Sequence, residues 1–585
     1  MTAARSTKRR VAVCIALIVA VLSVFVVRLV DIQVVRASEL TTAALNKRAT
    51  AITTYAARGT IVDNHGVVLA GSVLRYDITV SPRTLSKLKT FVRGQGSQKA
   101  LVTLEQAATE LAAVTGQTPH DVLTAFTAKP NSDFEYVAKS VSTDQMRLIR
   151  NLHIPAIYPR SHPTRIYPDG AVAGNLLGFV GTDGPQNGLE FTENKCLASV
   201  DGSSTYERGA NGVQLPGSAV TTRAAVAGGT VMTTIDHDLQ WSVGQMIAEQ
   251  ALAIGAESAT ASVTEVKTGK VLALADWPAV DPNNVDATPA KSLGSLAFTA
   301  AYEPGSTFKP MTAAILLDKK AATPLSQVVV PYRWVSKEGS VVRDATPHPV
   351  QQLTLAGVLQ QSSNVGISQL AINVPSKERY TYMRAFGVGE PTAIDFQGES
   401  AGLLAKTWDD QTKYDVSFGQ GVSVTAAQMA GIYQTIGNGG LKLPLTLVTG
   451  CKHSDGTITD VPTTVGKQIV SESAAKTVVQ MMEGVVTGGG LSSLLTIPGY
   501  RVAAKSGTAE VALNGVYTAD RIVSLAGLAP AEDPQYAVIV TFTKPSTIKT
   551  SAAAAPTFKK IMMQVLKTYR VTPSTTPSPN LPTTW

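Results

Sequence analysis

Ser306 and Lys309 stand three residues apart in EPGSTFKP, directly behind a Pro-Gly turn. If a helix begins there, the two side chains share one face, one turn apart. A serine hydroxyl is a poor nucleophile at neutral pH and needs a base within hydrogen-bond reach. A lysine can be that base only where burial or a neighbouring cation lowers its pKa. The blander reading is an N-cap serine beside a solvated lysine. Two later stretches weigh against it. QQSSNVG holds Ser362, Ser363 and Asn364, and AAKSGTAE holds Lys505, Ser506, Gly507 and Thr508. Each is weak alone, but Ser-x-x-Lys, Ser-x-Asn and Lys-Ser-Gly in that order point to acyl transfer through a serine ester.

The surrounding residues predict the elements that must hold these groups. Pro310 is tolerable in a first turn, and MTAAILLD continues as an apolar helix. YRVAAKSGTAEVA reads as a strand with a glycine where another segment approaches closely. Strand signals recur in the hairpin ASVTEVKTGKVLALADWP, at 523–529 and at 536–543, and helices are expected after TTIDHDLQ and over 556–570. The result is a sheet covered by helices. Upstream, RGTIVDNHGVVLA suggests a hairpin, RYDITVSP a strand, and residues 101–128 two short helices broken at Gly-Gln-Thr-Pro. No catalytic constellation appears there. Trp277, Trp408 and Tyr302 read as core residues with a groove lining as the alternative, and Glu303 as a surface charge.

Composition sets the frame. The 585 residues are 44% apolar and 16% charged, enough for two or three packed domains. The net charge of +8 is modest, and no basic patch interleaved with aromatics points to nucleic acid. Cys14, Cys196 and Cys451 form no CxxC and no Cys/His cluster, so no metal site is expected. Residues 11–27 carry no charge, follow Arg5, Lys8, Arg9 and Arg10, and precede Arg28, which can snorkel. An uncleaved anchor is expected, with the N-terminus cytoplasmic and the rest outside; a cleaved signal peptide is the alternative. Cys14 then lies in lipid. Outside, Cys196 and Cys451 can form a disulfide or stay as two free thiols. The expected divisions are a cytoplasmic tail (1–10), an anchor (11–30), a membrane-side module (31–235), a catalytic domain (236–570) and a Pro/Ser/Thr-rich disordered tail (571–585).

With these motifs in place, the chain resembles the class B penicillin-binding proteins over about residues 20–570. ARGTIVDNHGVVLA is similar to the family's first N-terminal motif, although Asn64-His65 replaces the usual Arg-Asn. RIYPDGAVAGNLLGFVG with GLE at 188–190, TTIDHDLQ, and VSFGQGVSVTAAQMAGIYQTIGNGG at 416–440 look like later family motifs. The resemblance implies a transmembrane helix, an elongated α+β pedestal or dimerisation-type module, and a β-lactamase-like serine transpeptidase domain with a central antiparallel sheet. It implies Ser306 as the nucleophile and Lys309 as base or electrostatic partner. Ser362 and Lys505 would handle the leaving-group proton. Asn364, Ser506, Gly507 and Thr508 would bind peptide. The backbone N–H groups of Ser306 and Thr508 would form the oxyanion hole. The substrates implied are peptidoglycan stem peptides, with β-lactams as acylating mimics and no cofactor. The compact module and short cytoplasmic tail look like the division-specific FtsI type, whose partners would be a SEDS-type glycosyltransferase and divisome membrane proteins. Alternatives are an elongation-type enzyme or a non-catalytic scaffold. A β-lactamase would usually be shorter and lack the membrane-side module.

Overall fold

A computed structural model describes residues 2–94, 99–207, 217–513 and 516–585. An apolar helix of membrane-spanning length covers Thr7–Val35. Arg28 donates to Asp31 at 2.7 Å, so the charge that interrupts the apolar run is paired. Beyond the helix the chain forms two compact units.

The first unit comprises residues up to 57 together with 74–163 and 199–227. Strand Ala49–Thr54 pairs antiparallel with Gly202–Glu207, which pairs with Val220–Arg223. Tyr76–Val80 pairs with the strand Glu135–Val141. The two expected helices are Leu104–Thr115 and Pro119–Thr127. Gly116 ends the first in the left-handed region, and the Thr118 side chain caps the second ahead of Pro119. Their apolar stripes bury Leu111 and Phe126 against Ile78 and Val80.

The second unit takes residues 58–73, 164–198 and everything from 228. The chain therefore passes between the two units five times, the last at 227/228, close to the boundary expected near 235. Buried Glu190 explains why the two early segments join this unit. It accepts from Arg58 Nε at 2.7 Å and from Arg165 Nε at 2.6 Å, and Tyr167 donates to it at 3.3 Å. Three of the early motifs thus meet in one ion-pair network. Removing one partner of such a buried network strands the others' charge. The Asn64-His65 departure leaves the turn intact, because Asp63 accepts the backbone N–H of His65, Val67 and His237.

The rest of this unit is built on helix α1 (His237–Ile254), strands β1 (Ser258–Glu265) and β2 (Val271–Trp277), helices α2 (Lys309–Asp318), α3 (Leu355–Gln361), α4 (Asn364–Ala371), α5 (Ala426–Gly437) and α6 (Glu472–Gly488), strands β3 (Ala503–Leu513), β4 (Val516–Ala529) and β5 (Tyr536–Thr543), and helix α7 (Ala555–Thr568). The five strands form one antiparallel sheet in the order β2-β1-β5-β4-β3. Strand alternation builds a core on each face. Val538, Val540 and Phe542 of β5 pack with Val243, Ile247, Phe558 and Ile561 of α1 and α7. Ala537 and Ile539 belong to the other core, with Met429, Tyr433 and Ile436 of α5 and Met311 of α2. Burial on both faces is why YAVIVTFT reads as continuous rather than alternating.

Cys196 and Cys451 form a disulfide with Cα atoms 5.9 Å apart, which settles the question the spacing left open. It closes a sequence separation of 255 residues. The double substitution Cys196→Ser/Cys451→Ser is expected to destabilise this unit by about 2–5 kcal/mol. Calorimetry beside the parent checks this: an unmoved transition would contradict it.

The tail 571–585 is ordered, which corrects the composition-based expectation. Val571 is buried, Leu581 packs against the larger core, and Thr584 pairs with Leu353. A Pro-rich segment cannot bury a core of its own, but here its partners come from the folded unit.

Candidate active site

Ser306 lies in a tight turn, Gly305–Phe308, that runs directly into α2. The turn is held from three sides. Gly305 N–H donates to Gly419 O at 3.0 Å, Thr307 Oγ1 to Pro304 O at 2.7 Å, and buried Tyr433 OH to Thr307 O at 2.9 Å. Lys309, the first residue of α2, is fully buried, and its Nζ lies 2.9 Å from Ser306 Oγ. It also reaches Ser362 O at 2.5 Å, Asn364 Oδ1 at 2.7 Å and Ser362 Oγ at 3.4 Å.

Ser362 ends α3 in the left-handed conformation, with φ 60°. Ser363 then caps α4, its Oγ accepting Gly366 N–H at 2.8 Å, so Asn364 starts the next helix. This helix–turn–helix corner is tied down by Asp344. Its carboxylate accepts Ser363 Oγ at 2.7 Å, Asn364 N–H at 2.5 Å and Val365 N–H at 2.9 Å, while His348 Nε2 lies 3.1 Å away. Sequence reading missed Asp344, whose only signal is a carboxylate in VVRDATPHP. Asp344→Ala leaves three donors without their acceptor, each unmade bond costing about 1–3 kcal/mol. The expected outcome is slower penicillin acylation together with a lower melting temperature, read from labelling rates and a thermal scan.

Lys505 is buried on β3, the edge strand of the sheet. Its Nζ lies 2.8 Å from Ser362 Oγ and donates to Ser506 O at 3.0 Å. Ser362 Oγ is thus shared by two lysine amines. Gly507 is required by close approach: a Cβ there would come 2.5 Å from Ser524 Oγ and 2.9 Å from Thr307 Cγ2, inside the nucleophile's own turn. Ser506 is half-buried and Thr508 exposed, and strand alternation puts both on one face. Thr508 Oγ1 accepts Ser551 N–H at 3.2 Å.

Electrostatics follow from this burial. Lys309 is held well below the ordinary lysine range, chiefly because burial penalises its charge and next because Lys505 is close; Asp344 pulls the other way. Burial brings Lys505 down to about 7. Glu303, expected at the surface, is instead half-buried, accepting Gly421 N–H at 2.9 Å and Tyr517 OH at 3.1 Å. Burial raises its pKa. Trp408 donates to Ala405 O and carries the Arg379 guanidinium over its ring, and Tyr302 packs on the larger core. Trp277 lines a cleft of about 210 Å³ at the far edge of the sheet, with Asp276 and Asn175; none of the expected site residues borders it. The expected site residues gather instead at the β3 edge.

Comparison with known proteins agrees with this architecture. The penicillin binding protein transpeptidase domain matches residues 259–563, and the penicillin-binding protein dimerisation domain matches residues 53–233. The chain is 32% identical to penicillin-binding protein PbpB of Mycolicibacterium smegmatis over 96% of this chain and 91% of that protein. It is 35% identical to peptidoglycan D,D-transpeptidase FtsI of Escherichia coli K12, over 78% of this chain and 76% of the relative. Among solved structures, penicillin binding protein 3 of Mycobacterium tuberculosis complexed with aztreonam superposes with a TM-score of 0.68 at 27% identity, covering 90% of this chain and 99% of that one. With both domains matched in order and relatives aligned along most of its length, the chain belongs to the penicillin-binding protein family.

Proposed function

We propose that the protein is a peptidoglycan D,D-transpeptidase working through a Ser306 acyl-enzyme. The observation that carries this reading is the buried Lys309 amine, 2.9 Å from Ser306 Oγ and depressed in basicity. Neutral Lys309 takes the Ser306 proton as Oγ attacks the carbonyl carbon of the penultimate D-alanine. The backbone N–H groups of Ser306 and Thr508 face the developing oxyanion. As the C–N bond breaks, Ser362 gives its proton to the departing D-alanine amine and is reprotonated within the two-lysine cluster, with the Lys505 charge in support. The amine of a second stem peptide then attacks the ester carbonyl, its proton passes back to Ser306 Oγ, and a cross-link remains. Asn364, Ser506 and Thr508 hold the donor peptide, and Gly507 keeps the strand close to the nucleophile. The open edge of β3 suits an extended backbone. A β-lactam reacts at the same serine, but its leaving nitrogen stays tethered, so the ester persists.

The apolar helix behind Lys8, Arg9 and Arg10 supports a single-pass anchor with a cytoplasmic N-terminus, and the disulfide supports an extracytoplasmic catalytic unit. The FtsI-named relatives support a septal role beside a SEDS-type glycosyltransferase and divisome membrane proteins. The test is to label the full chain in detergent with a fluorescent penicillin and map the adduct by peptide mass. One adduct on the Ser306 peptide supports the reading; a folded protein without one sinks it. Depletion in cells separates the roles: filaments indicate septal work, widened cells lateral-wall work.

A further inference from the structure

The segment 571–585 touches the unit that carries Ser306 at two places, and each lies next to one of the candidate motifs. At its start, Tyr500 OH donates to Val571 O at 2.7 Å, and Ser574 N–H donates to Gly499 O at 2.9 Å. Arg501 N–H donates to Ser574 Oγ at 2.9 Å, and its guanidinium reaches Thr576 Oγ1 at 2.8 Å while chelating buried Glu483 of α6. Two residues later β3 begins, with Lys505 in its first turns of the ladder.

At its far end the segment grips the opposite wall. Thr354 N–H donates to Thr583 O at 3.1 Å, and Thr354 Oγ1 donates to Pro582 O at 2.6 Å. The same Oγ1 accepts Gly357 N–H at 3.1 Å, so the residue bound by the segment is also the cap of α3. Gly357 sits inside that helix, where glycine costs about 1 kcal/mol relative to alanine. The structure gives the reason: a Cβ at 357 would land on the Thr583 carbonyl oxygen. The helix so gripped ends at Ser362. Between the two grips lie Pro577, Pro579 and Asn580, a composition that resists shortening.

We propose that residues 571–585 are a strap that fixes the spacing between the start of β3 and the cap of α3, so that Thr354 and Gly357 are positioning residues for Ser362 and Lys505. The strap matters because Ser362 Oγ must lie within reach of both amines, at 2.8 Å from one and 3.4 Å from the other. A displacement of about 1 Å in such an arrangement can cost on the order of 100-fold in rate. This inference rests on the Ser306 acyl-enzyme for its kinetic readout, but not for its structural one.

The test is a cycle in the full-length background: Gly357→Ala, a chain stopped after Ser578, and the two combined. Alanine favours the helix and harms it only through the Thr583 carbonyl. Each single change is therefore expected to slow penicillin acylation per folded molecule by about 10-fold or more, and the combination no further. Thr354→Ser retains the rate, and Thr354→Val loses it. Hydrogen exchange over 355–364 is followed on the same samples and is expected to rise in each single variant. Multiplying losses, or a lower melting temperature with an unchanged acylation rate, would overturn the strap as a positioning device. If the parent takes no penicillin, the acyl-enzyme reading fails, and exchange alone decides: faster in each single variant and no faster in the double supports the strap, unchanged exchange overturns it.

Discussion

Ser306→Ala and Lys309→Ala each lower the second-order rate of penicillin acylation by at least about 10⁴-fold, and the double variant is no slower than the worse of the two. Non-additivity of this kind marks groups that act as one unit. The geometry predicts it here. Lys309 Nζ lies 2.9 Å from Ser306 Oγ and is buried. Its lone pair has one productive acceptor role, so removing the hydroxyl makes the amine idle and removing the amine leaves a hydroxyl with no base. Four oxygen atoms also surround Nζ, namely Ser306 Oγ, Ser362 O, Ser362 Oγ and Asn364 Oδ1. Alanine at 309 therefore leaves a cavity as well, and Lys309→Met separates packing from chemistry. A methionine variant that acylates at the parental rate would remove Lys309 from the chemistry. Stopped-flow labelling with a chromogenic cephalosporin, beside a thermal scan of each variant, makes the measurement.

Lys505→Ala changes the shape of the pH profile as well as its height. In the parent, acylation rises with pH as Lys309 loses its proton, and falls again as Lys505, at about 7, loses the charge that supports the leaving group. These limbs belong to the pair rather than to either residue. Burial is the first cause of Lys309's low basicity and the Lys505 charge is the second. Deleting that charge lets the Lys309 pKa rise, so the acid limb moves to higher pH. The alkaline limb disappears because the group that produced it is gone. At neutral pH the loss is expected to be about 10²–10⁴-fold, and it narrows toward alkaline pH. Rates measured from acid to alkaline conditions decide the matter: a profile merely scaled down, with both limbs in place, would show that the amines do not communicate.

What the sequence made legible was whatever is carried locally. The YAVIVTFT run became β5 over Tyr536–Thr543 because both its faces are buried, and burial leaves a mark in composition. Ser306, Ser362 and Lys505, which the structure brings together, stood out as candidates because each sits in a motif whose neighbours are fixed by tight turns or close approaches. Asp344 was not found. Its work is done by a carboxylate meeting a corner that begins nineteen residues later, at Ser363, and nothing in VVRDATPHP records the meeting. The disulfide depended on a 5.9 Å approach that spacing cannot supply. The order of 571–585 was hidden for the opposite reason: the segment lacks a core of its own, and its partners, Thr354 and Arg501, are distant in the chain. The cut of the membrane-side module escaped because Glu190, which unites Arg58 and Arg165, is one residue among several in GLEFTEN.

The β3 edge has a further consequence, for solubility. An unpaired edge strand displays a row of N–H and C=O groups that another copy of the chain can extend, which makes such edges starting points for aggregation. Here the turn bearing Ser306 lies over one face of that edge strand, with Pro304 O and Thr307 Cγ2 close to Gly507. A strand arriving with its own sheet behind it meets this turn. A lone extended peptide needs only the width of one strand, about 4.8 Å. The turn thus obstructs a second sheet more than a single chain, and a concentrated preparation is expected to stay monodisperse by light scattering; growth of large species would contradict this.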